Sequence, residues 1–301
     1  MAVALPEPSI PRVLLGRSFG EIGLAQVREE VSAAAGALRA EIARRVCRRL
    51  GWHTPGGSLA TMSARVALLR LHRQGLLELP PPRNGNANGR PFDASAVEGP
   101  AEAPLERRAD QLAGLSLHLV RHERESRLYN ALIERYHYLG FVPLAGAQMR
   151  YLIAWEGGWL GALGFGAAAW QVRDRDRFIG WDALGRQTHL HRVVGNSRFL
   201  LLPWVRCPHL ASKVLAMSVR RLARDFQERY GYSPVLVESF VEEPRFSGTC
   251  YRAANWQPVG WTQGRGKKGQ WHEPRLPRKS IWVYPLHRHF RQILCSRGPD
   301  R

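Results

Sequence analysis

The segment from 235 to 260 constrains the fold of this chain more than any other part. It begins with an apolar run, Val-Leu-Val at 235–237, that ends on the carboxylate of Glu238. Pro and Gly residues then lead to a short helix near Gly248, and the segment closes on Asn-Trp-Gln-Pro-Val-Gly at 255–260. These signals predict a buried strand, a loop, a short helix and a returning strand, in that order.

The chain from 115 to 290 is predicted to be an α/β (α+β) domain with a mixed sheet. A charge-dense excursion at 171–192 interrupts the predicted elements. The long helix carries Leu215, Val219, Leu222 and Phe226 at the spacing of one buried face. The predicted strands are 115–119, 149–155, 159–165, 198–205, 235–240 and 281–284, and the predicted helices are 123–135, 209–229 and one from 248.

Residues 15–82 are predicted to form a separate helical module that binds DNA. Three amphipathic helices are expected at 21–34, 36–50 and 58–75, with Ser18 capping the first and a short strand following the third at 76–79. Helices joined by a turn and followed by a strand are typical of a helix-turn-helix with a winged-helix ending. A plain three-helix bundle with a solvated basic face is the alternative interpretation.

The third predicted helix offers two strips of side chains. One strip is small and polar, as a face that contacts the DNA groove should be, and the strip beside it is apolar and suited to packing. Arg65 and Arg73 are placed to reach phosphates. The polar strip is Ser63, Ala67, Arg70 and Gln74, and the packing strip is Met62, Val66 and Leu69.

Residues 83–114 are rich in Gly, Asn, Ala and Pro and lack apolar periodicity, which predicts a flexible linker between the two domains. A tolerated surface loop is the alternative. The last residues, 291–301, are expected to form a disordered tail. The four cysteines form no C-x-x-C pair, so free thiols in a reducing cytoplasm and no metal site are expected. Neither a signal peptide nor a membrane span is predicted.

The charge balance predicts a polyanionic partner. Lys and Arg number 44 against 25 Asp and Glu, a formal net charge of +19. Such a surplus favours DNA, because phosphate neutralisation releases counterions. A GC-rich coding genome would explain Arg in place of Lys but not the deficit of acidic residues. Besides the helical module, the candidate DNA contacts are Asn196, Arg198, Lys213, Arg265, Lys267, Lys268 and Lys279.

Five residues are candidates for catalysis. Glu238, at the end of an apolar strand, suits a general base, although an ion pair with an arginine would equally explain a carboxylate there. His137 and Tyr138 lie between apolar segments and suit stacking on a base and proton transfer, or else an aromatic cap on the core. Tyr251 lies at the start of the short helix, with Asn255 one turn further on, and suits a proton donor. The alternative is a tyrosine that only packs in the core.

Several stretches across residues 15–287 resemble the DruA family of the Druantia anti-phage system, whose members also occur beside transposases. The resemblance implies an anti-phage or mobile-element context, with DNA and other defence-system or transposase proteins as partners. The stretches are EIARRVCRRLGWHTPGG, LLRLHRQGLLELPPPR, RYHYLGFVPLAGAQMRYLI, LGALGFGAAAW, NSRFLLLPWVRCPHLAS and VESFVEEPRFSGTCYRAANWQPVGWTQGRG.

The second domain also resembles a GNAT-like (N-acetyltransferase-type) fold and, more weakly, the phage DNA-modification protein Mom. The shared features are the His-Tyr pair at 137–138, Gly-Ala-Leu-Gly-Phe-Gly at 161–166, Asn-Ser-Arg at 196–198 and Gly-Thr-Cys-Tyr-Arg-Ala-Ala-Asn at 248–255. In acetyltransferases a Q/R-x-x-G-x-G/A loop that binds pyrophosphate precedes the long helix. The corresponding segment of this chain, 206–212, contains no glycine. Use of coenzyme A is therefore not expected, and the cofactor is unknown.

Two classes of function follow from these patterns. In the first, the helical module holds the duplex and the GNAT-like domain modifies or cuts DNA. In the second, the chain is a non-catalytic DNA-binding adaptor of a larger defence or transposition complex. The two differ in one feature, since an adaptor does not need a carboxylate, a tyrosine and a histidine in one pocket.

Overall fold

A computed structural model describes residues 10–14, 17–34, 36–82, 92–144, 146–264 and 277–296. The chain divides into two compact units, 1–90 and 91–301. Each unit has its own hydrophobic core. Among the described residues, no helix combines the length and the apolar character needed to cross a bilayer.

The first unit is a small helical domain. Its elements are β1 (Val13–Leu14), β2 (Arg17–Ser18), α1 (Gly20–Ala33), α2 (Arg39–Arg49) and α3 (Thr61–Arg73). The two strands pair antiparallel. The predicted cap on the first helix is wrong, because Ser18 lies in β2 and Phe19 occupies the cap position without a side-chain hydrogen bond.

The strand predicted at 76–79 is not formed, so the described part of this unit has no winged-helix ending. Leu76, Leu77 and Leu79 are buried against the helices instead. Arg28 donates from Nε to the carbonyl oxygen of Leu76 at 2.8 Å. A side chain from α1 therefore satisfies a backbone group that a strand would have paired in a ladder.

The third helix buries a different face from the predicted one. Ala64, Ala67, Leu68 and Leu71 are buried, at the spacing of one helical stripe. Met62 and Val66, predicted to pack, are 66% and 54% exposed. Ala67, predicted to lie on the strip that faces the DNA groove, is buried, so that prediction is wrong. The polar side chains of α3 remain exposed, namely Ser63, Arg65, Arg70, Arg73 and Gln74.

The second unit is a mixed α/β domain built on one seven-stranded sheet. Its strands are β3 (Leu105–Glu106), β4 (Ser116–Leu119), β5 (Met149–Trp155), β6 (Gly158–Ala167), β7 (Val193–Leu201), β8 (Val205–Arg206), β9 (Leu236–Glu242), β10 (Gln257–Trp261) and β11 (Lys279–Pro285). Its helices are α4 (Glu123–Tyr136), α5 (Arg173–Ile179), α6 (Ala183–His189), α7 (Leu210–Tyr230), α8 (Thr249–Ala253) and α9 (Phe290–Cys295). The sheet order is β4-β5-β6-β7-β9-β11-β10, and β3 pairs parallel with β8 outside it.

The centre of the sheet separates into two arms. β7 and β9 are parallel neighbours that pair from Val193 with Leu236 to Asn196 with Ser239. At that point the register between β6 and β7 shifts, with Phe165 facing Asn196 and Gly164 facing Arg198. The extra residue, Ser197, forms a bulge that bends β7. Beyond the bulge β7 pairs with β6 and β9 pairs with β11, so a cleft opens between β7 and β9.

The predicted linker and tail have defined structure where they are described. Residues 92–114 belong to the second unit, where Ala109 and Leu112 are buried in its core. Residues 83–91 and 297–301 lie outside the described residues. At the other end, Leu294 is buried in α9. The predicted excursion at 171–192 contains α5 and α6.

Candidate functional site: the cleft between β7 and β9

The cleft between the separated strands is a cavity of about 570 Å³. The loop after α4, the bulged part of β7, the end of β9 and the start of α8 all contribute side chains to it. Ligand cavities in proteins are typically about 300–1,000 Å³, so this one has room for a small molecule or a single nucleotide. Its walls include His137, Tyr138, Asn196, Arg198, Tyr251 and Lys279.

A buried hydrogen-bond network fixes one wall of the cleft. The Tyr251 hydroxyl donates to Asn196 Oδ1 at 2.8 Å, and Ser239 Oγ donates to the Tyr251 oxygen at 3.0 Å. Asn196 Nδ2 reaches the carbonyl oxygens of Gly164 and Arg198 across the bulge, at 3.2 and 3.1 Å. Burial raises the pKa of Tyr251 well above its usual range, so the phenol stays protonated. Tyr251 and Asn196 therefore hold β7, β9 and α8 together.

Replacing Tyr251 with Phe is expected to destabilise the second unit by about 1–3 kcal/mol. The change removes the donor to Asn196 Oδ1 and leaves this buried oxygen without its partner. Urea unfolding monitored by tryptophan fluorescence measures the loss. Tyr284→Phe is the matched control, because the Tyr284 hydroxyl has no hydrogen bond among the described residues. Equal stability of the two variants would contradict this role of Tyr251.

His137 and Tyr138 follow the end of α4 and form an aromatic wall. Their rings stack at 4.9 Å with an interplanar angle of 28°. Phe246 contacts Tyr138 at 5.4 Å, and the Arg245 guanidinium lies 4.8 Å from its ring centroid. Tyr136, which precedes His137 at the end of α4, does not join this wall and packs against Trp204. The rings of His137, Tyr138 and Phe246 therefore hold one another in place.

Two of the wall's ionisable groups are held neutral. Burial, together with the nearby charges of Arg198 and Lys279, lowers the pKa of His137 to about 4. Burial, together with Glu242, raises the pKa of Tyr138. At neutral pH the charges of the cleft are therefore those of Arg198, Arg245 and Lys279, opposed by Glu242. This surplus of positive charge favours an anionic ligand.

Glu238 lies outside the cleft, which corrects its predicted position. Its side chain is fully buried and accepts from Arg175 Nη1 at 2.7 Å and from the Ala169 backbone N–H at 3.1 Å. Arg175 is also fully buried, and it donates to Asp176 and to the carbonyl oxygen of Ala169. Burial raises the pKa of Glu238, and the guanidinium opposes that rise. The carboxylate thus joins α5 to the centre of the sheet.

The other predicted residues are dispersed. Asn255 is exposed just after α8 with a positive φ of 63°, as suits a residue that ends a helix. Lys213 donates from Nζ to the carbonyl oxygen of Ala109. Three of the predicted DNA contacts, Arg265, Lys267 and Lys268, lie outside the described residues. Among the described residues, no group of three His, Cys, Asp or Glu side chains is placed to hold a metal ion.

Three residues that line the cleft or stabilise the strands beside it were not predicted from the sequence. Arg245 and Glu242 line the cleft, and Arg175 pairs with Glu238 from 63 positions away. Arg175 lies in a run of alternating Arg and Asp that has the appearance of a solvated surface. Nothing in its local pattern distinguishes it from its exposed neighbours, since burial of an arginine depends on a distant carboxylate.

The second unit has the predicted fold class, a mixed α/β domain on one seven-stranded sheet that opens into a cleft between two parallel strands. The chain matches the family model described as "Druantia protein DruA" over residues 70–271, and it belongs to the DruA family. A search among curated proteins gives no match.

Solved structures similar to the chain include acetyltransferases at low identity. Aminoglycoside acetyltransferase AAC(6')-Ib in complex with coenzyme A is 14% identical, covering 58% of this chain and 96% of its own, with a TM-score of 0.38. The ribosomal-protein-S18-alanine N-acetyltransferase from Escherichia coli is 10% identical, covering 57% and 94%, with a TM-score of 0.33. The IAA acetyltransferase from Bacillus cereus ATCC 14579 is 11% identical, covering 56% and 99%, with a TM-score of 0.33.

Proposed function

We propose that this DruA-family chain is a DNA-binding protein of an anti-phage defence or mobile-element system, and that its GNAT-like domain acts on DNA by base modification or strand processing. The observation that carries the proposal is the composition of the cleft between β7 and β9. His137, Tyr138 and Tyr251 line one cavity with more cationic than anionic side chains. A cavity of about 570 Å³ accommodates one nucleotide extruded from a strand.

Binding to DNA is proposed to use the first unit as well. The exposed side of α3 carries Arg65, Arg70, Arg73 and Gln74, which supply phosphate and base contacts in this account. In the second unit, Arg198 and Lys279 line the cleft, while Asn196 has a supporting role through its hydrogen bonds. The formal net charge of +19 supports a polyanionic partner for the chain.

Coenzyme A is not proposed as the cofactor. The segment that precedes α7 has no glycine between 206 and 212, and His209 takes a positive φ of 64° there. Glycine in a pyrophosphate loop lets the backbone approach the phosphates closely, and the side chains in this segment limit that approach. The donor, if the reaction needs one, is proposed to be a different compound.

A second candidate is a non-catalytic DNA-binding adaptor that works with other defence-system or transposase proteins. The position of Glu238 favours it, because the carboxylate predicted as general base is paired with Arg175 and does not line the cleft. His137 has a pKa of about 4 and is a weak base at neutral pH. The adaptor uses the same DNA-binding surfaces without changing the DNA.

Mass spectrometry of nucleosides separates the two candidates. DNA is incubated with the protein and cell extract, digested to nucleosides and compared with DNA treated with the His137→Ala variant. Strand breaks are followed on a gel from the same reactions. A modified nucleoside or new DNA ends with the wild type, reduced with the variant, supports the enzyme. Unchanged DNA with the wild type, also in extracts from cells that make other proteins of such a defence system, contradicts the enzyme and leaves the adaptor.

A further inference from the structure

The loop after α4 fixes which nitrogen of His137 carries the proton. The backbone N–H of Leu139 donates to His137 Nδ1 at 3.2 Å. A backbone N–H is a donor and never an acceptor, so Nδ1 must present its lone pair. In a neutral imidazole the proton then lies on Nε2. The low pKa of His137 agrees with this geometry, because a protonated ring has no lone pair for Leu139.

The protonated nitrogen lacks a partner within the described chain. His137 is half-buried and lines the cleft, and no described residue accepts a hydrogen bond from Nε2. Nε2 is not among the buried polar atoms that lack a partner, so its N–H is accessible from the cleft. A ligand that supplies an acceptor atom there takes this hydrogen bond in place of solvent. His137 is therefore placed to donate a hydrogen bond into the cleft, whereas the sequence suggested a proton-transfer role.

Arg198 supplies a second oriented donor. Its Nη1 donates to the carbonyl oxygen of Ser197 at 2.8 Å, and its Nε donates to that of Gly140 at 3.3 Å. These two bonds fix the guanidinium on the cleft wall, while its Nη2 has no acceptor in the described chain. Guanidinium groups with free N–H donors suit phosphate oxygens.

The charged groups around His137 favour an anion over an amine. Arg198 on β7 and Lys279 on β11 both act on its pKa, and Glu242 on β9 pairs with Lys279 at 3.2 Å. Arg245 lies over the Tyr138 ring and 3.9 Å from Glu242. Three cations therefore share one carboxylate, and a protonated amine would meet net repulsion.

We propose that His137, Arg198 and Lys279 form a phosphate-binding subsite, in which the Nε2–H of His137 and the guanidinium of Arg198 donate to the phosphate of a nucleotide. The phosphate chemistry follows from the donors and charges of the cleft. Its assignment to a nucleotide rests on the proposed function, and the Tyr138 and Phe246 rings offer a surface for the sugar and base.

Nitrogen-15 NMR of histidine tests the state of His137 directly. The chain has 11 histidines, and the His137→Gln variant identifies the signal by its loss. The proposal predicts the Nε2–H tautomer at pH 7 and a ring that stays mostly neutral down to pH 5. Addition of dAMP is expected to shift this signal, whereas deoxyadenosine, which lacks the phosphate, leaves it in place. A proton on Nδ1, or equal shifts with both compounds, would overturn the proposal.

Two variants of His137 provide the matched affinity test. A Gln side chain places its amide near the Nε2 position, and an Asn side chain places its amide near Nδ1. His137→Gln is therefore expected to keep dAMP affinity within about threefold, while His137→Asn lowers it about tenfold, the loss of one hydrogen bond to a charged group. Calorimetric titration measures both. Equal affinities of His137→Asn and the wild type refute the subsite.

The source of the phosphate is tested with a third compound. Coenzyme A could bind tenfold more tightly than dAMP, and His137→Asn could abolish that difference in affinity. This result would show that the subsite does not bind a nucleotide of DNA, and the assignment of the phosphate to a nucleotide would fail. The outcome of these binding tests does not depend on whether mass spectrometry finds a modified nucleoside. A chain that binds dAMP through His137 but never alters DNA retains the subsite and loses the proposed enzymatic activity.

Discussion

Replacing Glu238 with Gln is expected to destabilise the second unit by about 3 kcal/mol. The substitution keeps the shape of the side chain but removes the charge opposite Arg175, which is itself fully buried. Loss of one partner of a buried ion pair costs about 3–5 kcal/mol, because the other charge stays desolvated. Asp176, 2.7 Å from Arg175 Nε, still compensates part of that charge, which places the expected loss at the lower end.

A double variant gives the control for this prediction. Arg175→Met with Glu238→Leu removes both charges and fills the space with apolar groups of similar volume, a change that is often neutral. The double variant is expected to unfold at a higher urea concentration than Glu238→Gln. If Glu238→Gln were as stable as the wild type and lost only activity, Glu238 would have a chemical role that its position in the structure contradicts.

DNA affinity is expected to fall steeply with salt. A protein that neutralises six to ten phosphates loses about 10³–10⁵ in affinity between 50 and 200 mM salt. With 44 Lys and Arg against 25 Asp and Glu, we expect this chain to fall in that range. Fluorescence anisotropy with a labelled duplex at several salt concentrations measures the slope. An affinity that does not change with salt would contradict phosphate-driven binding.

Variants of α3 test how much this helix contributes to the salt dependence of DNA binding. Arg70→Ala with Arg73→Ala is expected to weaken binding to all sequences and to lower the salt slope by about 1 per arginine. Arg44→Ala is the matched control, because Arg44 on α2 is ion-paired with Glu41 in the same unit. If both variants bind equally well, the exposed face of α3 is not a DNA contact.

The elements that follow from local pattern were predictable from the sequence. The strand β5 has the predicted bounds, 149–155, and α7 differs from its predicted bounds by one residue at each end. Leu215, Val219, Leu222 and Phe226 are all buried, because an amphipathic stripe of this length fixes the face that packs. The mixed α/β class of the second unit also follows from the pattern of its predicted strands and helices, which agrees with the observed seven-stranded sheet.

The features that depend on distant partners were not predictable. The backbone of 76–79 is held by side chains, Arg28 at Leu76 and His72 at Leu77 and Leu79, rather than by a strand partner. The local apolar pattern does not distinguish these two outcomes. On α3 the stripe of Ala64, Ala67, Leu68 and Leu71 is buried while Met62 stays exposed, since packing against α2 selects the buried face. The sequence places Glu238 at the end of an apolar strand, which is typical of a carboxylate that lines a cleft. In the structure Arg175 from α5 pairs with it inside the core.

Photo-cross-linking of DNA to the protein tests the central claim most directly. A strand that carries a photoreactive base is irradiated with the full-length chain, and the cross-linked peptides are identified by mass spectrometry. The account predicts cross-links at 137–139, 196–199 or 239–251, the segments that line the cleft, and their loss in Arg198→Ala. Cross-links confined to residues 1–90, with none in the cleft, would contradict the claim that DNA enters the cleft between β7 and β9.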